Sequence, residues 1–151
     1  MPQPSSPTVG LAVVHLFFQV GPLTDATEAI AAIDAARAAG DQVITAALLG
    51  HKADIAVMAL SGDQWNLRRL QTALVAAGLE LVDSYVSITE ISEYAQGVPD
   101  EMKQARLYPQ LPPADKPAFC FYPMSKKREV DANWFTLDFE RRKEDRKSTR
   151  L

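Results

Sequence analysis

The chain predicts an α+β fold of the ferredoxin-like type, βαββαβ, with a four-stranded antiparallel sheet and two helices on one face. Three observations predict it. Segments with the two-residue apolar period of strands alternate with helix-period segments in the order strand, helix, strand, strand, helix, strand. The connections are short, which makes neighbouring elements antiparallel. Both helical patterns run into a glycine, at Gly40 and Gly78.

Residues 1–9 hold Pro2, Pro4, Pro7 and two serines and read as a loose, disordered leader. From Gly10 to Val20 the chain is β-rich. One face carries Ala12, Val14, Leu16, Phe18 and Val20, the other Leu11, Val13, His15, Phe17 and Gln19, so both sides need cover. Gly21-Pro22 breaks this strand, and Thr24 or Asp25 is placed to cap a helix with the stripe Ala26, Ala29, Ile30, Ile33 and Ala36. Gln42 to Leu49 is the second strand, Gly50-His51-Lys52 a turn, and Ala53 to Leu60 the third strand. Ser61-Gly62-Asp63-Gln64 has capping-box spacing and opens a helix with Leu67, Leu70 and Leu74 inward and Arg68, Arg69 and Gln71 largely outward. Leu79 to Ile88 is the fourth strand, with Leu79, Leu81 and Tyr85 expected on one face. The helices cover only one side of such a sheet, so its second apolar face calls for another copy, another domain or a ligand-bearing extension, as in a dimeric α/β barrel.

This ferredoxin-like domain spans 10–97. Residues 98–117, rich in Pro, read as a long loop or linker. Residues 118–151 read as the start of a second, incomplete ferredoxin-like domain: a strand Phe119–Met124 stopped by Pro123, a short strand Asn133–Leu137, and a basic tail whose helix is polar all round.

A hydrophobic content of 47% supports a real core and excludes general disorder. The net charge of −3 is unevenly spread, because nine of the sixteen Lys and Arg residues lie in 126–128 and 141–150. The folded part is therefore acidic, and the basic tail has no interleaved aromatic residue, which argues against nucleic acid as a partner. Leu11 to Val20 is too short to span a membrane, and no basic residue precedes it as in a signal peptide. Cys120 is the single cysteine, so no internal disulfide forms, and a reducing cytoplasm is the expected location. No metal-ligand spacing is present, and His15 and His51 read as a sheet-face histidine and a turn histidine rather than as metal ligands.

Chemistry concentrates in Phe119-Cys120-Phe121-Tyr122-Pro123-Met124-Ser125-Lys126. A phenol, a soft thioether and a compact cation at alternate positions suit a large, flat, partly apolar, anionic ligand. Read by itself, the same run also describes a strand end with a capping tyrosine and solvated lysines.

Several stretches together resemble the chlorite dismutase-like heme proteins, and within them the coproheme decarboxylases: Leu49 to Asp54, Tyr85 to Tyr94, Arg106-Leu107-Tyr108-Pro109, Phe121 to Lys126, and Asn133-Trp134-Phe135. They occur in the family's order from about residue 10 to about 140. The resemblance implies a subunit of two ferredoxin-like domains, of which this chain matches the first and the start of the second, and a homo-oligomer, dimer or pentamer. It implies iron coproporphyrin III or heme as the bound group and peroxide-dependent decarboxylation of propionates to heme b. Tyr122 then matches the redox-active catalytic tyrosine; Lys126, Met124, Arg106, Tyr85 and Ser87 match substrate contacts; Trp134 matches a secondary electron site. The family's iron ligand is a histidine of the second domain, absent from this chain, so activity requires the missing half, in cis or in trans. Two alternatives are a non-catalytic ferredoxin-like oligomer with remnant heme motifs, and a chlorite- or peroxide-degrading heme protein.

Overall fold

The computed structural model describes residues 3–50, 52–95, 97–123, 125–126, 128–130 and 132–148, the side chains of 132 and 145–148 aside. It divides into two compact units, Met1–Lys116 and Pro117–Leu151.

The first unit contains β1 (Ala12–Gln19), α1 (Ala26–Ala38), β2 (Gln42–Ala47), β3 (Ile55–Ser61), α2 (Gln64–Ala76), β4 (Glu80–Ile88) and α3 (Asp100–Leu107). The sheet order is β2-β3-β1-β4, and every pairing is antiparallel. This is the ferredoxin-like arrangement. The registers sort the side chains into rows across the sheet. On the helix side run Val43-Ala59-Val14-Val86, Thr45-Val57-Leu16-Ser84 and Ala47-Ile55-Phe18-Leu81. Leu67, Leu70 and Leu74 of α2 and Ala29 of α1 close over them to form the core. Each such buried leucine contributes about 1.5–3 kcal/mol relative to exposure. In α1 the expected stripe is only partly inward: Ile33 and Ala36 pack on the core, while Ile30 stays 59% exposed.

The caps follow from side-chain chemistry. Asp25 accepts from the N–H groups of Thr27 and Glu28, satisfying donors that the first turn of α1 leaves unpaired. The capping box expected from Ser61 and Gln64 does not form. Asp63 is the N-cap, accepting from the Trp65 N–H, while the Ser61 hydroxyl accepts from the Asp63 N–H one step earlier. Asp63 also accepts from the Ser5 N–H, and the Gln64 N–H donates to the Ser5 carbonyl. The leader is thus tied to α2 at Ser5 rather than loose. The N–H groups of Ser5 first and Trp65 second, both donating to its carboxylate, hold Asp63 below its ordinary value. The end of α2 meets the start of α1: the Asp25 N–H donates to the Ala77 carbonyl, and Gly78 has φ +83° with its Cα against the Leu23 carbonyl, where a methyl has no room.

Three expectations change. Residues 98–117 are not wholly a loop, because α3 forms within them, with Asp100 and Glu101 in its first turn and Arg106 in its last, each sign suited to the helix dipole. Of the strand expected over Phe119–Met124, the described residues 119–123 are not a strand: among the described residues no strand lies beside them to complete a ladder, and a ladder is what makes an extended segment a strand. The strand expected over Asn133–Leu137 is instead the end of a short hairpin, β5 (Arg128–Glu129) with β6 (Ala132–Asn133), followed by a 3-10 turn at Trp134–Thr136. The Asn133 side chain accepts from the Phe135 N–H and starts that turn, and α4 (Phe139–Ser148) follows in this second unit.

Replacing Leu74, which is fully buried, with alanine should lower the urea-unfolding free energy by about 2–5 kcal/mol. The same change at Ile30 should cost less than about 1 kcal/mol. Equal losses at the two sites would contradict this account of the core.

Candidate functional site

The second face of the sheet carries the rows Gln42-Leu60-Val13-Ser87, Ile44-Met58-His15-Tyr85 and Ala46-Ala56-Phe17-Asp83. Val13, Phe17, Ala56 and Leu60 on this face are buried, so it is not left open to water. At one end the cover is the chain's own segment 89–111. Thr89, directly after β4, accepts from the Leu11 N–H through its hydroxyl oxygen (2.7 Å) and donates to the Leu107 carbonyl (2.7 Å). The Tyr108 hydroxyl accepts from the Gly10 N–H at 3.3 Å. At the far edge the Gln42 amide donates to the Pro109 carbonyl (2.8 Å) and accepts from the Leu111 N–H (2.7 Å). The segment therefore reaches from β4 to the opposite edge at β2, with Ala95 and Leu107 buried along it.

Tyr85 and Ser87 reach this face through an irregularity. Leu81 pairs with Phe18 and Asp83 with Phe17, so Val82 is an extra residue in β4, a β-bulge. One inserted residue reverses the alternation. Leu79 and Leu81 point into the helix-side core as expected, whereas Tyr85, expected beside them, turns to the second face together with Ser87. There the Tyr85 ring meets Phe17 edge to face, centroids 6.3 Å apart, and 38% of the residue remains exposed. His15 stands opposite Tyr85 on β4 and Met58 on β3, and its burial pushes the imidazole below the ordinary value of 6.5. Arg106 is exposed on the last turn of α3.

The second unit holds Tyr122, Lys126 and Trp134. Tyr122 is 67% exposed and Lys126 is exposed. The Lys126 ammonium lies 5.1 Å from the centre of the Trp134 indole, and the Arg142 guanidinium lies 5.3 Å from it. Trp134 in turn meets Phe135 edge to face at 5.2 Å, and the Arg128 guanidinium lies 4.3 Å over the Phe135 ring. Met124 and His51 lie outside the described residues. Among the described residues no cluster of His, Cys, Asp and Glu can hold a metal ion, and no helix is long and apolar enough to cross a membrane. The structure thus groups Tyr85 with Ser87 and His15 in the first unit, and Lys126 with Trp134 in the second. Sequence reasoning missed Gln42, Thr89 and Tyr108 as anchors, and the two further cations Arg128 and Arg142. Pro99 followed by Asp100-Glu101, with Arg106 seven positions from Pro99, was the available signal for α3.

A ferredoxin-like sheet with a chain-derived cover on its second face defines the class of fold. The chain belongs to the chlorite dismutase family, whose model matches residues 23–145. A Natronomonas pharaonis protein named for heme binding is 41% identical over 114 aligned positions, which cover 64% of this chain and 18% of that protein. A Haloarcula marismortui protein with a similar name is 37% identical over 137 aligned positions, covering 77% of this chain and 20% of its own length. The chain spans about a fifth of the length of these curated relatives. Among solved structures, one described as a novel heme-binding protein from Thermus thermophilus superposes with a TM-score of 0.70 at 24% identity, over 98% of this chain and 68% of that one, a likeness of fold.

The lowered pKa of His15 has a sign. Between the folded value and 6.5 the unfolded chain binds more protons, so stability rises with pH through that window and falls as pH drops below 6.5. Urea midpoints measured from roughly pH 5 to 7 should therefore flatten in His15→Phe relative to the unaltered chain. An unchanged slope would remove His15 as its source.

Proposed function

We propose that this chain binds the propionate-bearing edge of an iron porphyrin and carries the hydrogen-relaying tyrosine of a peroxide-dependent coproheme decarboxylase. The observation that carries the reading is the exposed phenol of Tyr122, four positions before the exposed ammonium of Lys126, in a chain of this family. Relatives named for heme binding support the porphyrin as ligand.

The residues fit the periphery of the group rather than its metal. Lys126 and Arg106 are exposed cations and Tyr85 and Ser87 exposed hydroxyl donors, the chemistry that carboxylates require. His15 is turned into a sheet face and is not assigned to iron. The iron ligand and the rest of the site then come from a further part of the protein or from a partner chain. When bound, the iron porphyrin supplies, with peroxide, the oxidising power for the reaction. Tyr122 gives up one electron and one proton and regains a hydrogen atom from the propionate methylene attached to the ring. Loss of carbon dioxide and one further electron leaves a vinyl group, and peroxide is reduced to water. Lys126 orients the carboxylate for this transfer. Trp134 has two cations beside its indole, and positive charge opposes removal of an electron from the ring, which favours holding Lys126 over relaying electrons as its role in this reading.

A second reading is heme binding without turnover, which the relatives' names favour. The two readings part at Tyr122. In the assembled site, Tyr122→Phe should leave porphyrin affinity within about threefold and lower propionate loss by at least about a hundredfold, followed by product mass after peroxide addition. Turnover retained in the variant would remove the assigned role, and no turnover in the unaltered assembly would leave the binding reading.

Self-association belongs to the same proposal. β4 is an edge strand exposed along most of its length, a template for pairing with a second copy. Sedimentation at micromolar concentration should give a mass above that of the monomer; a monomer alone would contradict it.

A further inference from the structure

We propose that Gln42, Thr89 and Tyr108 are positioning residues that hold Arg106 in place for a ligand carboxylate, an inference that rests on the porphyrin reading above. The four residues Arg106-Leu107-Tyr108-Pro109 divide into three that are tied down and one that is presented. Leu107 is buried and its carbonyl accepts from the Thr89 hydroxyl; the Tyr108 hydroxyl accepts from the Gly10 N–H; the Pro109 carbonyl accepts from the Gln42 amide. A fourth bond, from the Leu111 N–H to the same Gln42 amide, closes the run. Arg106 takes no part in these ties and keeps its side chain exposed.

The anchors are not replaceable by generic polarity. Gln42 uses both ends of one amide, donating to one carbonyl and accepting from one N–H, which neither a carboxylate nor a hydroxyl does at that spacing. Gly10 has φ +79°, and a methyl on it would collide with the Thr89 carbonyl, so only glycine lets β1 start this close to Thr89. The ties attach to Gly10, two residues before β1, to Thr89, directly after β4, and to Gln42, the first residue of β2, all at one end of the sheet. An arginine on a free loop loses backbone freedom when it grips a carboxylate. Here that ordering is already achieved on folding, so more of the ion pair appears as affinity. Leu107, Tyr108 and Pro109 serve the fold, and through them Gln42 serves Arg106.

The test is a double-mutant cycle on the full chain, read by absorbance titration with iron coproporphyrin III and by hydrogen exchange across residues 107–111. Arg106→Ala should weaken binding about tenfold. Gln42→Ala should weaken binding severalfold when Arg106 is present and not at all in the Arg106→Ala background, while the Leu111 amide exchanges faster in both. Tyr108→Phe, which removes one oxygen and keeps the ring, should show the same dependence on Arg106. Losses that multiply independently in a chain that binds porphyrin would overturn this inference alone, as would unchanged affinity in Gln42→Ala despite faster exchange. No binding by the folded, unaltered chain would overturn the porphyrin reading and this inference with it.

Discussion

A four-stranded sheet with apolar residues on both faces must be covered twice, and the rest of this structure depends on how that is done. The helix side is closed by the leucines of α2 and the smaller residues of α1. The other face places Val13, Phe17 and Leu60 where water would meet them, and exposure of that surface is the cost that the segment after β4 offsets. Thr89 is where the two requirements join, because its hydroxyl receives the Leu11 N–H and reaches the Leu107 carbonyl. The cover is therefore registered against the first strand, and the arginine it carries is registered with it.

Chemistry follows from the same geometry. The bulge at Val82 moves Tyr85 and Ser87 out of the helix-side alternation and onto the face that the chain covers only in part. The first unit thereby offers hydroxyls at a partly covered apolar surface and a cation on α3, and the second offers a phenol and an ammonium beside aromatic rings. Each set suits the acidic, amphipathic edge of a macrocycle. Aromatic packing in the second unit orients its cations: Trp134 and Phe135 hold Lys126 and Arg128 by the negative faces of their rings.

Much of the fold was legible in the sequence. The alternation of periods located all four strands and the first two helices, and Leu67, Leu70 and Leu74 are the inward residues that their spacing indicates. The capping position moved from Ser61 to Asp63, since a carboxylate two residues nearer the helix receives the first-turn N–H more directly. The bulge was not legible: Val82-Asp83 carries no glycine or other local signal, and the extra residue is accommodated by the pairing with β1, a tertiary effect. For residues 119–123 the opposite error arose, because apolar alternation marks a segment fit to be a strand but does not provide a neighbour. Individual site residues came from family resemblance, which names positions such as Arg106 but not the Gln42 and Thr89 contacts that fix them.

The central claim is that this chain recognises the carboxylates of a porphyrin rather than its metal. The most direct measurement is the affinity of the full chain for three iron porphyrins by Soret titration: coproporphyrin III, heme b with fewer propionates, and an iron porphyrin with none. Affinity should fall in that order, and the differences should shrink as salt is raised, as expected for exposed ion pairs. Equal affinity for all three, or tightest binding of the carboxylate-free compound, would contradict the account.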